Sequence, residues 1–341
     1  MRVCIIPEYP ASLMTGGLQV QAEETHAALA RLAGVEAELF NWSERRPLPD
    51  LYHFMGLPDH MNRITELARQ AGRPYLCTLL FGGNPQPWHL RLAGLRHLLK
   101  ASVLRQDARR RAIRGAAHII TLTPGDARAA RTIYGLAAAR VSVVPNGVAD
   151  AFFTCPPEPW RSRHGDQPFI LCVGAVQRRK QQALLLRAAN AARLPVVLIG
   201  PVLPGEHAYG EQVAVAAREN ATLGGRWIPG LAAADPLLMS AYGNCRLFVL
   251  LSQEETQPLS VLQALAVRKP VLLGMADYVA NEPFAGLPVV PTTNVETVAA
   301  ALRRAWEEAR PTALERSYSW HAVAEQLLAL YRAAVGGHGG T

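Results

Sequence analysis

Residues 246–273 have the sequence RLFVLLSQEETQPLSVLQALAVRKPVLL, which predicts a strand, a polar loop, a helix and a second strand. The apolar run from Arg246 to Leu251 is nearly continuous, as in a parallel strand that is buried on both faces. The loop from Ser252 to Pro258 is polar, and apolar residues recur at helical spacing from Leu259. The stretch therefore predicts an α/β fold with a parallel sheet.

An acidic pair lies between this first strand and the helix. Glu254 and Glu255 occupy the loop at the carboxyl end of the strand. Open α/β sheets bind their ligands at such strand ends, and the backbone N–H groups and dipole of a helix N-terminus favour a phosphate. The loop is therefore a candidate binding site, although a capped helix with acidic N-terminal residues explains the same pair.

The length and the pattern of the chain predict two domains of the same kind. At 341 residues the chain suits two domains of about 150 residues each. Apolar strand candidates alternate with helical segments in both halves, which is typical of parallel sheets covered by helices. The candidates are Val3 to Ile6, Ala37 to Phe40, Tyr52 to Phe54, Tyr75 to Leu79, His118 to Leu122, Val141 to Val144, Phe169 to Val173, Val196 to Ile199, Trp227 to Ile228, Leu247 to Leu251, Val271 to Leu273 and Val289 to Val290.

A break in this alternation divides the chain. Residues 150–167 are rich in proline and polar residues, and we predict an interdomain linker there. The predicted domains are therefore residues 1–150 and residues 168–318. An apolar pattern over residues 319–336 predicts a long final helix.

Basic residues are concentrated in one amphipathic segment. The formal net charge is +8, and eight Lys and Arg residues lie between Arg91 and Arg114, with Asp107 as the one acid. Because leucines are interleaved among them, residues 88–114 predict a basic amphipathic helix or helix pair, which can lie on an anionic membrane. An ordinary solvated helix face explains the same pattern, and no nucleic-acid motif accompanies the charge.

Other features predict a cytoplasmic protein. No apolar run approaches the roughly 18 residues of a membrane-spanning helix, and the N-terminal residues MRVCIIPEYP lack the pattern of a signal peptide. The five cysteines are scattered, which fits reduced thiols and neither a disulfide framework nor a zinc site. We expect a cytoplasmic chain with peripheral contact at the inner face of the membrane through residues 88–114.

Glycines or cations follow the first strand of each half. Gly16 and Gly17 precede a helix, where they allow the backbone to approach a phosphate closely, although a simple turn also explains them. Arg179 and Lys180 follow the strand that ends at Val173, and cations there can neutralise a diphosphate. Both segments are therefore candidate ligand-binding loops.

These motifs, in this order, resemble the retaining glycosyltransferase family 4, glycosyl transferases group 1, which has the GT-B fold. The family signature runs from Ser-x-x-Glu through a loop to Leu-Glu-Ala, and Glu255 and Gln263 have the family's spacing. The residues that carry the resemblance are Gly16–Gly17, Thr123, Pro145-Asn146-Gly147-Val148, Arg179-Lys180, Ser252, Glu255, Leu262-Gln263-Ala264, Pro270-Val271 and Tyr318-Ser319-Trp320.

The resemblance implies two Rossmann-like domains facing a central cleft, with the final helix packed back on the N-terminal domain. It implies an enzyme of polysaccharide biosynthesis that moves a sugar from a nucleotide-sugar donor to a glycan or lipid-linked saccharide, with retention and with neither metal nor cofactor. Glu255 and Lys180 are the implied catalytic residues, and Asn146 and His53 the implied acceptor or cleft residues. The implied donor-binding residues are Gly16, Gly17, Arg179, Lys180, Ile228, Gly230, Glu255, Gln257, Pro258, Leu259, Ser260 and Gln263.

The sequence departs from the family pattern in ways that leave alternatives open. Gln263 replaces the family's second Glu, and Leu80 stands where many members have a His. His53 and His89 are candidate substitutes for that His. The departures favour, as an alternative, a catalytically impaired GT-B protein that binds a sugar nucleotide or a partner enzyme; epimerisation and phosphorolysis are further GT-B chemistries.

Overall fold

The computed structural model describes residues 1–9, 16–41, 43–44, 46–57, 59–81, 103–154, 158–232, 234–308 and 310–338. The chain divides into two compact units. The first unit comprises Met1–Gly147 together with Arg316–Thr341, and the second comprises Val148–Glu315. The second unit is therefore inserted between two parts of the first.

The first unit contains a six-stranded parallel sheet in the order β2-β1-β3-β4-β5-β6. Each strand overlaps a predicted one, and the inner strands are apolar because they are buried on both faces. The edge strands β2 and β6 are only partly buried. The strands are β1 (Arg2–Pro7), β2 (Glu36–Leu39), β3 (Leu51–Met55), β4 (Tyr75–Leu79), β5 (His118–Thr121) and β6 (Val141–Val143).

Helices from both parts of the chain belong to this unit. They are α1 (Gly17–Leu29), α2 (Asn62–Gln70), α3 (Val103–Gly115), α4 (Pro124–Tyr134) and the final helix, α12 (Trp320–His338). The final helix contacts α1, and its apolar side chains Val323, Leu327 and Tyr331 are buried. Removal of this helix would therefore expose part of the core of the first unit.

The second unit contains another six-stranded parallel sheet, in the order β12-β11-β10-β7-β8-β9. Its strands are β7 (Ile170–Val173), β8 (Val196–Ile199), β9 (Arg226–Ile228), β10 (Leu247–Leu250), β11 (Val271–Gly274) and β12 (Val289–Val290). Its helices are α5 (Asp150–Phe153), α6 (Trp160–His164), α7 (Gln182–Ala192), α8 (His207–Ala221), α9 (Pro236–Asn244), α10 (Leu259–Ala266) and α11 (Val295–Glu308). The prediction of an α/β fold with two Rossmann-like sheets is confirmed.

Short 3-10 helices complete the described secondary structure. They are Asp59–Met61, Ala138–Arg140, Arg178–Lys180, Asp277–Ala280 and Arg316–Tyr318. Two of these, Arg178–Lys180 and Asp277–Ala280, follow β7 and β11 at the carboxyl edge of the second sheet.

The predicted linker at residues 150–167 is wrong as a description of this segment. The segment contains α5 and α6, and its side chains Phe152 and Trp160 are buried in the second unit. The Phe152 ring packs edge-on against Tyr242 at 5.4 Å, and the Trp160 backbone N–H donates to Ser240 Oγ at 3.0 Å. The prolines and polar residues suggested a linker, but the two aromatic anchors fix the segment to the second unit.

The basic segment is described only in part. Of residues 88–114, those up to residue 102, including His89, lie outside the described residues, and the remainder belongs to α3. Among the helices that the structure describes, none combines the length and the apolar character needed to span a bilayer.

Candidate functional site

The topology of the second sheet brings two loops to one point. β7 pairs with β8 on one side and with β10 on the other. Strands that follow β7 in sequence are first added on one side, and from β10 onward they are added on the other side. Because β7 and β10 are parallel, their carboxyl ends meet at the same edge of the sheet. This is the switch point at which open α/β sheets bind ligands.

A charged cluster occupies this point. Lys180 Nζ lies 3.1 Å from Glu255 Oε1, and Arg179 Nη1 lies 3.0 Å from the same oxygen. Ser252 Oγ donates a third hydrogen bond to Glu255 Oε1 at 2.9 Å. We refer to Arg179, Lys180, Ser252 and Glu255 as the Glu255 cluster.

Backbone contacts hold the two loops of the cluster together. The Gln253 N–H donates to the Arg179 carbonyl at 2.9 Å, and the Arg179 guanidinium donates to the Glu254 carbonyl. The loop after β7 is thereby tied to the loop after β10 independently of the ion pairs. The cations are positioned by the fold and do not depend on a ligand.

Two glycines allow the close packing on which the cluster depends. Gly174 has φ of +149°, and a Cβ at this position would lie 2.9 Å from Lys180 Nζ. Gly200 has φ of +153°, and a Cβ there would clash with the Gly174 carbonyl. The ends of β7 and β8 therefore need glycine, since L-residues disfavour this backbone conformation.

The electrostatics of the cluster favour an anionic ligand. Burial raises the pKa of Glu255, but the charges of Lys180 and Arg179 and the hydrogen bonds from Lys180 and Ser252 outweigh it and hold the pKa below its usual value. The carboxylate therefore remains charged at neutral pH. Two cations against one carboxylate leave one excess positive charge at a strand end, which suits a phosphate or diphosphate.

The helix that follows the cluster begins without a side-chain cap. Gln257 and Pro258 are buried immediately before α10, and Leu259 and Ser260 form its first turn. Because no side chain caps the first N–H groups, the dipole and amides of this end can serve an anion. Gln263 lies one turn further on.

Gln263 has a partner that sequence reasoning did not identify. The hydroxyl of the buried Tyr242 donates to Gln263 Oε1 at 2.9 Å. This bond uses the amide oxygen and leaves the Nε2 group of Gln263 to donate. A glutamate here would present a charged acceptor, so Gln263 changes the hydrogen-bonding character of this position.

Two further predicted residues lie at the same sheet edge, two strands from β7. Ile228 ends β9, and its carbonyl accepts from the Gly200 N–H at 2.9 Å. Gly230 is exposed in the following loop. The fold of the second unit thus places them on the edge that carries the Glu255 cluster, without a direct contact to it among the described residues.

Four of the predicted residues, Gly16, Gly17, His53 and Asn146, belong to the first unit. Gly16 and Gly17 are exposed at the start of α1. Asn146 is buried, and a Cβ on the neighbouring Gly147 would clash with the Trp320 ring. Gly147 is therefore packed against the start of the final helix, which a turn motif alone does not indicate.

The prediction that His53 contacts an acceptor is wrong for this structure. Its side chain is 0% exposed. One ring nitrogen lies 2.7 Å from the Tyr331 hydroxyl and the other lies 2.8 Å from Thr78 Oγ1. Burial lowers the pKa of His53 to about 3, so the ring is neutral and structural.

Leu80 follows β4 and is 36% exposed. It therefore presents an apolar surface at the strand end where the resembled family often has a histidine. Leu80 has no hydrogen-bonding group, and the buried His53 does not substitute for one.

Tyr278 is a further residue near the cluster that the sequence analysis missed. It lies in the 3-10 helix after β11, the strand that neighbours β10, and the charge of Glu255 contributes to raising its pKa. Its position after an apolar strand was the one signal available in the sequence. Within the described ranges, no three His, Cys, Asp or Glu side chains are grouped closely enough to hold a metal ion.

Comparison with protein families identifies both halves of the chain. Residues 7–147 match the model described as a glycosyl transferase 4-like domain, and residues 158–319 match the model described as glycosyl transferases group 1. No curated protein is similar enough in sequence to match the chain.

Solved structures share the fold along nearly the whole chain. Sucrose-phosphate synthase from Thermosynechococcus elongatus is 17% identical, with coverage of 98% of this chain and 99% of that chain and a TM-score of 0.70. Anabaena HepE, solved in complex with UDP and glucose, is 15% identical, with coverage of 99% and 97% and a TM-score of 0.63.

A third similar structure is an α,α-trehalose-phosphate synthase (UDP-forming) from Burkholderia xenovorans, in complex with glucose-6-phosphate. It is 13% identical, with coverage of 99% of this chain and 98% of that chain and a TM-score of 0.66. The two matched family models and the two parallel sheets lead to one conclusion: the chain belongs to the group 1 glycosyl transferases and has their GT-B fold.

Proposed function

We propose that this protein transfers a sugar from a UDP-sugar to a hydroxyl group of a glycan or lipid-linked saccharide, with retention at the anomeric carbon. The observation that carries the proposal is the Glu255 cluster, in which two cations flank a charged carboxylate at the switch point of the second sheet. Solved structures of similar fold include complexes with UDP and with UDP-glucose, which supports UDP as the nucleotide.

The cations of the cluster act on the leaving group. Lys180 and Arg179 bind the diphosphate oxygens, on which negative charge develops as the bond from the anomeric carbon to phosphate breaks. Because backbone contacts fix the loop that carries both cations before the donor arrives, the two side chains need only turn from Glu255 to the phosphate oxygens to stabilise that charge. The uncapped N-terminus of α10 adds N–H donors from Leu259 and Ser260.

Glu255 and Gln263 orient the donor. Glu255 accepts hydrogen bonds from hydroxyls of the sugar ring, and the Nε2 group of Gln263 donates to the nucleotide ribose. The acceptor oxygen bonds to the anomeric carbon on the face that the phosphate leaves, and its proton passes to the leaving phosphate oxygen. In this scheme, which uses neither a metal nor a protein nucleophile, the configuration of the sugar is retained.

A second candidate function is supported by two specific observations. Leu80 is apolar at the position where many family members have a histidine, and the nearby His53 is buried with both nitrogens bonded. A GT-B protein that binds a sugar nucleotide or a partner enzyme without transfer would tolerate both features. Neither form would release UDP from a UDP-sugar, and the form that binds a sugar nucleotide would still bind UDP.

A thermal-shift screen tests the donor site. UDP, GDP, ADP and dTDP sugars are compared on wild type, Lys180→Ala, Glu255→Ala and Lys269→Ala. A ligand that binds the folded state alone must raise the melting temperature. We expect UDP-sugars to raise the melting temperature of the wild type, and we expect Lys180→Ala to abolish this shift. The control Lys269→Ala should retain the shift, because Lys269 lies beyond the C-terminal end of α10.

Turnover then separates the two candidate functions. Release of UDP with a glycan acceptor, unchanged by EDTA, supports transfer without a metal. Binding of UDP without release under any acceptor supports the non-catalytic alternative. No shift with any sugar nucleotide contradicts transfer and favours the alternative in which the protein binds a partner enzyme.

The proposed location is cytoplasmic, with peripheral attachment to the inner face of the membrane through residues 88–114. The density of arginine in this segment supports attraction to anionic lipids. In a flotation assay we expect the protein to rise with anionic vesicles and not with neutral ones. Equal behaviour with both kinds of vesicle contradicts this part of the proposal.

A further inference from the structure

Tyr278 carries a buried hydroxyl without a hydrogen-bond partner. The side chain is 0% exposed, and within the described part of the chain no group donates to its oxygen or accepts from it. Folded proteins pair nearly all of their buried polar groups, because an unpaired one forfeits its hydrogen bonds to water. The hydroxyl of Tyr278 therefore needs an explanation.

The ring of Tyr278 is held firmly. It packs edge-on against Phe284, with the ring centroids 5.8 Å apart and an interplanar angle of 78°. The carbonyl of Tyr278 accepts from the Asn281 N–H at 3.1 Å. The position of the hydroxyl is thus set by the fold, and its partner has to come to it.

The neighbouring anion is Glu255. Burial is the larger cause of the raised pKa of Tyr278, and the charge of Glu255 is the second, so the phenol lies within the field of that carboxylate and remains protonated at neutral pH. β11, which leads into the Tyr278 turn, is the sheet neighbour of β10, which leads into the Glu255 loop. The unpaired donor and the carboxylate therefore lie on the same edge.

The contacts of Glu255 within the cluster converge on one carboxylate oxygen. Its contacts with Lys180, Arg179 and Ser252 all end on Oε1. The proposed function assigns Lys180 and Arg179 to the donor diphosphate. A carboxylate that is largely buried loses much of its stabilisation when cations turn toward another anion.

We propose that Tyr278 is the replacement donor for Glu255, and that its hydroxyl bonds to the carboxylate when a diphosphate captures Lys180 and Arg179. This inference rests on the proposed function, because it concerns the same donor site. Tyr278 acts through Glu255 and is a positioning residue. It keeps Glu255 oriented and charged while the cations serve the ligand.

A double-mutant cycle in the ligand-free protein tests the exchange. Replacement of Arg179 and Lys180 by Met removes both cations and mimics their capture. In the wild-type background, Tyr278→Phe is expected to leave the melting temperature unchanged or to raise it, because the lost hydroxyl had no partner. In the background without cations, Tyr278→Phe is expected to lower it by several degrees.

Tyr209→Phe provides the matched control within the same unit. Tyr209 is also buried, but its hydroxyl accepts from the Ala183 N–H at 3.0 Å. Its removal should lower the melting temperature equally in both backgrounds. An equal effect of Tyr278→Phe in the two backgrounds, or a loss of stability in the wild type, would overturn the exchange.

UDP binding provides a second measurement that does not depend on the folding of the cation-free variant. Calorimetry should show that Tyr278→Phe weakens the binding of UDP about tenfold, although the melting temperature of the apo protein is not lowered. A merely structural role of Tyr278 does not produce this combination. Equal UDP affinity of Tyr278→Phe and wild type contradicts the exchange and leaves the proposed function intact. If the wild type binds no UDP, the proposed donor is wrong, and the ligand-free cycle still decides the role of Tyr278.

Discussion

Among individual residues, Asp126 couples stability to pH. It is fully buried at the N-terminus of α4, where the Thr123 hydroxyl donates to its carboxylate at 2.8 Å and its own N–H donates to Thr123 Oγ1 at 3.1 Å. Burial raises the pKa of Asp126 to about 6, although hydrogen bonds from Thr123 and Phe81 lower it. The folded protein therefore holds this proton more tightly than the unfolded chain.

The higher pKa of Asp126 in the folded state determines how stability changes with pH. Between the ordinary pKa of 3.8 and the folded value of about 6, the folded state binds more protons than the unfolded state, so this contribution to stability is present at low pH and is lost as the pH rises. Asp126→Asn does not titrate. We expect the free energy of unfolding of Asp126→Asn relative to wild type to increase by about 2 kcal/mol between pH 4 and pH 7.

Urea denaturation of both proteins at several pH values measures this difference. Thr65→Ala, which alters a buried hydroxyl without removing a carboxyl, controls for general loss of packing. A difference between Asp126→Asn and wild type that is constant with pH would show that Asp126 has an ordinary pKa.

The sequence predicts the residues of the Glu255 cluster but not the burial of His53. Lys180 and Glu255 follow apolar strands, and strand ends of a parallel sheet meet at one edge, so local pattern suffices to bring them together. The burial of His53 depends on Tyr331, 278 residues away along the chain. No local pattern encodes that pairing, and the same limit applies to Tyr242 and Tyr278.

Between elements, the turn after β8 depends on one glycine. A Cβ on Gly200 would clash with the Gly174 carbonyl, and its φ of +153° disfavours any L-residue. We expect Gly200→Ala to lower the free energy of unfolding by about 3 kcal/mol or more, since the neighbouring atom is backbone and cannot move freely.

Gly205→Ala is the matched control for this prediction. Gly205 has φ of +85°, but a Cβ there meets nothing within 4 Å. It should cost only about 1 kcal/mol, which is the conformational penalty alone. Equal destabilisation by the two variants in urea melts would mean that the clash at Gly200 is relieved without cost.

A buried polar bond joins the final helix to the first sheet. Tyr331 on α12 pairs with His53 on β3 at 2.7 Å, and both side chains are fully buried. Tyr331→Phe leaves a ring nitrogen of His53 without its partner, so we expect a loss of about 1–3 kcal/mol in the free energy of unfolding. Denaturation monitored by circular dichroism measures it, and an unchanged midpoint would mean that water replaces the hydroxyl.

The positions of the strands were predictable from the sequence, whereas the packing of residues 150–167 was not. All twelve strands of the two sheets overlap the strand candidates of the sequence. The inner strands are apolar because helices cover them on both faces, whereas the edge strands β2, β6 and β9 are only partly buried. In residues 150–167 the composition indicates a linker, and only the tertiary packing of Phe152 and Trp160 gives the segment a fixed place. Two isolated aromatic residues form no periodic pattern.

For the molecule as a whole, the two units differ in how the chain builds them. The second unit is one continuous segment, Val148–Glu315, and it contains Arg179, Lys180 and Glu255. The first unit needs both ends of the chain, since buried side chains of α12 belong to its core. The covalent order therefore predicts that the second unit can fold without the rest of the chain, and that the first cannot fold from its N-terminal part alone.

Fragments of the chain test this difference. We expect residues 148–315 to unfold cooperatively and to bind UDP within tenfold of the full chain, because the cluster lies wholly inside them. We expect residues 1–147 to aggregate, since the surface that α12 covers would be exposed. Rejoining residues 316–341 through a short Gly-Ser linker should restore a cooperative transition, because Gly147 packs directly against Trp320.

Matched variants make the rescue specific. In the rejoined first unit, Tyr331→Phe should lower the melting temperature, as it should in the full chain, because its partner His53 lies in the same unit. A stable fold of residues 1–147 alone would show that α12 only covers a core that is already complete. Loss of UDP binding by residues 148–315, with cooperative unfolding retained, would show that the Glu255 cluster does not suffice for the nucleotide and that residues of the first unit supply part of the affinity.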